Sequence, residues 1–366
     1  MKIQNTFKAN VIWGSLGFSL AIIAALLFDT QQTISYLAAA KAFIFSQFSW
    51  FYILLSAFFL FFLLFLALGR YGDIKLGSDE EEPEFKLGSW IALLFTSGIG
   101  IGIVFLGVAE PLSHFLSPIG EYEKVRTALF FSIFHWSISA WAIYGLIALT
   151  IAYFGFRYKL PFSLRSCFYP LLKEKINGKV GDVIDILGIC TTLFGVVATL
   201  GYSAIRLAAA FHSMHLLDNS PYLVPLILVS VFIIAILISL QGIANGFRIL
   251  SELNLGVTFL FMLLVLLFGP TIYLISAFTE NIGTYLSGLI RVGFKAYAYD
   301  VEHLDWFMDW TVFYWAWWFH GRQALGFYRT DFSRTNFTGV YFRRIDGAKF
   351  ILCFMVHSIW KWGHLG

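Results

Sequence analysis

The stretch that decides the fold is Thr96-Ser97-Gly98-Ile99-Gly100-Ile101-Gly102, set inside an apolar run over 89–108. Three glycines at every second position carry little helix propensity and leave the backbone bare. No strand precedes them and the third glycine is misplaced, so a dinucleotide-binding loop does not fit. Gly98 and Gly102 make a GxxxG pattern suited to close packing of membrane helices. The sharper reading is a helix broken within the bilayer. There, unwound carbonyls and half-helix ends can hold a cation or a small polar solute.

Composition agrees with a bilayer. Of 366 residues, 59% are hydrophobic, 19% aromatic and 13% charged, and the mean hydropathy is +0.76. A water-facing domain carries about 25% charged residues, so a soluble enzyme, a disordered chain and a disulfide scaffold are all excluded. The net charge of +3 is small and scattered, which argues against a nucleic-acid partner. The three cysteines, Cys167, Cys190 and Cys353, form no CxxC. A hydrocarbon core needs roughly 20 apolar residues per helix. The runs 11–28, 50–68, 89–108, 128–153, 183–212, 222–240 and 254–276 meet this, and an eighth occupies 306–319. Residues 281–298 show an apolar face at helical spacing and predict a helix lying along the outer interface.

Basic residues orient the chain. With the N-terminus in the cytoplasm, the inner segments hold Lys2, Lys8, Arg70, Lys75, Lys86, Arg157, Lys159, Arg165, Lys173, Lys175, Lys179 and Arg248. The outer segments hold only Lys41, Lys124, Arg126, Arg291 and Lys295. The expectation is a multi-pass protein of the cell membrane with a cytoplasmic N-terminus. Asp182 and Asp185 read as a helix-start signal, and Glu110-Pro111 as the end of the third span. Arg206 lies well inside the fifth span with no evident partner, a costly position that suggests pairing or function. An intramembrane enzyme would have to draw on His114, His135, His212 or His215. No HExxH exists and no paired carboxylates share a face within a span, so the chain is not read as an enzyme. His135 reads as a satisfied core residue.

The fourth span contains Phe134-His135-Trp136-Ser137-Ile138-Ser139-Ala140-Trp141-Ala142-Ile143-Tyr144. As one continuous helix, it would place Trp136, Trp141 and Tyr144 on one face. The eighth adds Trp310, Phe313, Tyr314, Trp315, Trp317 and Trp318, more aromatic surface than an interfacial belt needs. Two readings stand: plain core packing, or aromatic walls around a quaternary ammonium. The methyls of such a group cannot hydrogen-bond, and its charge is best met by π faces.

These motifs are recognisable. GIGIGIVFLGVAEPLSHF (98–115), FHWSISAWAIY (134–144) and WTVFYWAWW (310–318) resemble the betaine/choline/carnitine transporter family. So do DVIDILGICTTLFG (182–195) and LNLGVTFLFMLLVLLFGPT (253–271), and the likeness runs in family order from about residue 10 to 318. The resemblance implies an all-α membrane protein with an inverted-repeat, five-plus-five helix core behind two extra N-terminal helices. It implies secondary active uptake of a quaternary-ammonium osmolyte such as glycine betaine. Trp136, Trp141, Tyr144 and Trp318 would form the aromatic box, with Trp317 and Phe313 beside it. The backbone of Gly98, Gly100 and Gly102 would approach the substrate carboxylate. Proton-coupled choline transporters of the family resemble one another in an aspartate at the third glycine; Gly102 here favours the sodium-coupled, zwitterion-carrying branch. Thr192 keeps one hydroxyl position of a sodium site while Val196 replaces the other, and Thr96 and Ile99 would lend carbonyls to a second. A homotrimer is the family habit. Choline or carnitine transport or exchange is the alternative within the family, and an amine or amino-acid carrier of the same broad fold would not predict the four box residues together.

After Trp318 the family likeness stops at Phe319-His320-Gly321-Arg322-Gln323. Read one nucleotide later from Phe327, with codons freely chosen, the tail can encode family-like strings. Residues 319–366 are therefore expected to be the product of a frameshift, leaving the second repeat incomplete; an inactive truncated fragment is the further alternative to transport.

Overall fold

The computed structural model describes residues 8–77, 87–98, 101–119, 123–218, 220–240 and 243–319. Ile99, Gly100 and the tail from 320 onward lie outside the described residues, so the expectations placed on them stay there. Among the described residues every regular element is helical.

The chain opens with α1 (Ala9–Phe28) and α2 (Thr30–Leu68), separated only by Asp29. Asp29 caps α2: its carboxylate accepts the Gln32 backbone N–H at 2.9 Å, meeting one of the donors a helix start leaves bare. Hence α2 begins well before the 50–68 run, and Lys41 is helical rather than in a loop. The alanine-rich stretch over 37–42 propagates the helix there.

The glycine-rich run is divided between α3 (Leu87–Gly98) and α4 (Ile101–Leu116). Pro111 does not end the span as expected; it sits inside α4, which continues past it to Leu116. A proline removes one backbone donor and kinks a helix, and neighbouring groups in a membrane protein can meet the freed carbonyl. The fourth run also splits, into α5 (Lys124–Trp136) and α6 (Ile138–Phe156). Ser137, at φ −101° and ψ −142°, leaves the helix between them. Trp136 thus ends α5, while Trp141 and Tyr144 lie on α6.

Short helices α7 (Leu164–Cys167) and α8 (Tyr169–Leu172) lead into α9 (Lys179–Ser213) and α10 (Leu223–Leu240). Then α11 (Ile243–Phe268) and α12 (Thr271–Gly293) are parted by Gly269-Pro270. The expected span to 276 and the separate helix over 281–298 are thus redrawn. Proline cannot donate within a helix but suits a helix start, so the break falls there and 271–293 is continuous. Last come α13 (Leu304–Phe307), a π-helical turn at Met308–Val312 and α14 (Phe313–Trp318). Six helical segments among the described residues are long and apolar enough to cross a membrane. That set takes 124–156 as one span across Ser137 and does not include the glycine-rich and eighth runs.

The helices belong to two compact units. The first draws on 1–84, 138–194 and 290–342; the second on 85–137, 195–289 and 343–366. In the first, α2 presents Ile53, Ala57, Leu60, Leu63 and Ala67, a stripe at three- and four-residue spacing, as its buried face. It packs on α6, where Gly145 lets the Leu63 methyl approach to 3.5 Å of where a Cβ would stand. Both helices also carry α14, which fixes the position of Trp318. At the start of α9, Asp182 and Asp185 do more than begin a helix. Arg165, 3% exposed, lies 3.0 Å from the Asp185 carboxylate and 3.5 Å from that of Asp182, which also pairs with Lys8 at 2.9 Å. In the loop after α12, the half-buried Asp300 carboxyl is held below its ordinary range by His303 and Lys295.

In the second unit α4 packs on α5, and α3 on α11. On α10 the large side chains of Leu226, Phe232, Ile233, Ile236 and Leu237 are all more than half exposed. Such apolar surface suits lipid tails and not water.

Candidate functional site

In the first unit, α6 and α14 bring three of the expected rings together. The Trp141 and Trp318 centroids lie 5.7 Å apart, Trp141 and Tyr144 6.0 Å, and Tyr144 and Trp318 6.5 Å at nearly right angles. Trp141 and Tyr144 are neighbours because residues three apart on a helix share a face. The three are 1%, 3% and 5% exposed. Edge-to-face geometry turns the negative face of one ring toward the positive edge of the next. A cation entering such a cluster would meet π faces from two directions.

Phe313 and Trp317 sit elsewhere on α14. Their rings contact each other at 5.9 Å, and Phe313 is exposed with the Lys41 ammonium 5.8 Å above its ring. The Phe313 face therefore already has a cation beside it.

In the second unit, Trp136 closes α5 and is buried. Its indole N–H donates to Glu110 Oε2 at 2.9 Å. The other oxygen, Oε1, lies 2.6 Å from His135 Nδ1 and 3.3 Å from His114 Nε2. Because α4 runs on through Pro111, Glu110 and His114 fall four apart on one face and share the contact. Glu110 and His135 are fully buried and His114 is 2% exposed. One carboxylate and two imidazoles within 4.8 Å are a donor set that a zinc-like ion accepts. Two ligands each about 2.0 Å from a tetrahedral ion stand about 3.3 Å apart. The 2.6 Å separation of Nδ1 and Oε1 is instead that of a charge-assisted hydrogen bond.

The remaining expected residues divide similarly. Gly98 closes α3 and Gly102 lies in the first turn of α4, while Gly100 and Ile99 fall outside the described residues. The Thr96 hydroxyl accepts from the Asn254 amide on α11 at 3.2 Å. Thr192, in the first unit, donates its hydroxyl proton to the Gly188 carbonyl at 2.8 Å, leaving its oxygen lone pairs as acceptors. Arg206, for which the sequence offered no partner, places its guanidinium 3.9 Å above the Phe105 ring and 4.8 Å from that of Tyr202.

Sequence reasoning missed Glu110 and Asn254 as members of this architecture. Glu110 could have been found: an acid inside an apolar run, four residues before a histidine, is by default a functional candidate. Nothing in the sequence pairs Asn254 with Thr96.

The profile of the betaine/carnitine/choline family transporters matches residues 10–334, past Trp318. An uncharacterized transporter of Haemophilus influenzae is 47% identical over 338 residues, 91% of this chain and 50% of that protein. The glycine betaine transporter OpuD of Bacillus subtilis is 37% identical over 90% of this chain and 62% of its own length. The high-affinity choline transport protein of Escherichia coli K12 is 34% identical over 78% of this chain and 43% of its own. The chain spans about half the length of the curated relatives it matches.

Proposed function

The chain belongs to the betaine/carnitine/choline transporter family, membrane transporters and not enzymes, and on that premise we propose that it serves uptake of glycine betaine across the cell membrane. The observation that carries the reading is the buried three-ring cluster of Trp141, Tyr144 and Trp318. A trimethylammonium group has no donor to offer, and its diffuse charge gains most from aromatic faces away from water. The relative that transports glycine betaine supports the substrate class.

Betaine is preferred to choline for an electrostatic reason. Choline brings a net positive charge, which an acid at the third glycine would balance; Gly102 offers none. Betaine carries its own carboxylate, and the backbone N–H groups at a helix start suit it. Sodium is the proposed co-substrate, with one site drawing on the Thr192 hydroxyl and a separate, second site on the carbonyls of Thr96 and Ile99. Alternating access proceeds through an inverted-repeat core with the N-terminus in the cytoplasm.

Uptake of labelled betaine into proteoliposomes bearing the chain, with an inward sodium gradient or with potassium replacing sodium, tests this. Accumulation that needs sodium and is poorly competed by choline is expected. Equal accumulation in both media overturns sodium coupling, and preference for choline overturns the zwitterion reading.

A further inference from the structure

The helix that carries Trp318 is irregular, and a side chain from another helix spans the irregularity. Between α13 and α14 the chain makes a π-helical turn at Met308–Val312, with helical dihedrals on both sides, so 304–318 is one helix with one widened turn. Such a turn holds one residue more than an α-helical turn; π turns are rare and gather at functional sites. Lys41 of α2 reaches across it. Its ammonium lies 3.4 Å from Asp309 inside the turn and 5.8 Å from the Phe313 ring just after it. It also lies 5.3 Å from the Phe45 ring of its own helix. We infer that Lys41 is a positioning residue for Trp318, holding the π turn that sets the rotation of α14. The role rests on the three-ring cluster being the substrate box, and every residue in it lies in the first unit.

Each residue turns an α-helix by about 100° and advances it by about 1.5 Å. Were the widened turn to relax to α-helix, its surplus residue would pass down the chain and α14 would rotate by about that angle. Trp318 would then face away from Trp141 and Tyr144, whose ring centroids now lie 5.7 and 6.5 Å from its own. The same rotation would carry the Phe313 ring away from the ammonium that Asp309 holds, so the lysine contacts favour the π-helical register. α2 is a splint along the segment. Lys41 meets its upstream end, and at the downstream end Phe319 sits 6.0 Å from Tyr52 and 5.7 Å from Phe59. From Lys41 to Tyr52 the helix rises about 16 Å, and from Asp309 to Phe319 about 15 Å, so the two helices run side by side in one direction. An ammonium suits the post because a carboxylate and ring faces both attract it. Lys41 and Asp309 are 49% and 69% exposed, so each contact is weak alone and the expected effect is a few-fold one.

The test uses the full chain in proteoliposomes and reads KM and Vmax for labelled glycine betaine. Lys41→Gln loses the charge and should raise KM about threefold to fivefold with Vmax within about twofold, because only the fraction of chains in the box-forming register binds tightly. Lys41→Arg, which still meets both carboxylate and ring, should stay within about twofold of the unaltered chain. Deleting Asp309 removes the surplus residue, leaves α14 in its present rotation as plain α-helix and takes away the choice of register. In that background Lys41→Gln should change KM by less than about twofold. An unchanged KM in Lys41→Gln, or the same rise with Asp309 deleted, overturns the positioning role. A ligand-free readout decides even where the deletion fails to accumulate. Fluorotryptophan at 318 should give one fluorine NMR line in the unaltered chain and a second line in Lys41→Gln. A single unmoved line in Lys41→Gln overturns the register change. The box reading fails separately: should Trp318→Ala leave KM unchanged, the role of Lys41 in transport fails with it, while the fluorine lines still report the register.

Discussion

Trp136 and Trp141 come from one short stretch of sequence, yet different forces hold them. Trp141 is buried among other rings, with Tyr144 on its own helix and Trp318 from α14. Trp136 is tied by its N–H to a buried carboxylate that two histidines also contact. Ring packing is broad and forgiving, since each edge-to-face contact contributes about 1 kcal/mol and tolerates tens of degrees. A hydrogen bond to an ion is narrower and stronger. One tryptophan is therefore placed by shape and the other by charge. The non-helical Ser137 between α5 and α6 is where the chain passes from one regime to the other.

The largest expected effect tests the ring side. Trp318→Ala removes one face of the three-ring cluster and opens a void beside Trp141. A desolvated cation–π contact is worth about 2 kcal/mol or more, so betaine affinity should fall roughly 30- to 100-fold, read as KM in uptake. Trp318→Phe, which keeps a face, should lose less than about tenfold. A Trp318→Ala chain with unchanged KM would show the cluster to be packing alone.

The charge side breaks differently. His135→Ala takes the nearest partner from a buried carboxylate, and an unsatisfied buried polar group costs about 1–3 kcal/mol. The purified chain in detergent should unfold several degrees lower, with loss of signal in a thermal melt reporting it. His114→Ala, whose contact is longer at 3.3 Å, should cost less. Equal losses at the two histidines would mean that Glu110 is not centred on His135.

How much of this was legible in the sequence depends on what kind of signal each feature leaves. Runs such as 222–240 show their length and hydropathy directly, and α10 occupies Leu223–Leu240. The ends set by caps and breakers were harder. Asp29 admits α2 twenty residues before the apolar run at Trp50, and Pro270 moves a boundary from 276 to 268. Pro111 reads as a helix stop by the usual rule, and that rule does not hold inside protein surroundings that can satisfy the freed carbonyl. Trp141, Tyr144 and Trp318 stood out as rings where a plain span has none. Glu110 is hard to single out because the proline beside it offers a local explanation. Its true partners, His135 and Trp136, lie on another helix, and periodicity along one helix says nothing about the next.

The hydroxyls extend the comparison to the two units. Thr192→Val removes an oxygen that the first of the two proposed sodium sites needs, and the sodium concentration for half-maximal uptake should rise roughly three- to tenfold. Uptake that responds to sodium as before would remove Thr192 from that site.

Thr96→Val is expected to do least. It deletes the acceptor for the Asn254 amide, a neutral, half-buried hydrogen bond at 3.2 Å between α3 and α11, while keeping the side chain's shape. Such a bond is worth about 1 kcal/mol net. The melt should therefore shift by no more than a few degrees, and Asn254→Ala in the Thr96→Val background should add little, because the interaction is already gone. Sodium dependence is the discriminating readout. The second proposed site uses the Thr96 carbonyl, which valine retains, so a large change there would place the hydroxyl, and not the backbone, at the ion. That outcome would also reassign Asn254, since an amide donating to the same oxygen would then compete with sodium for it.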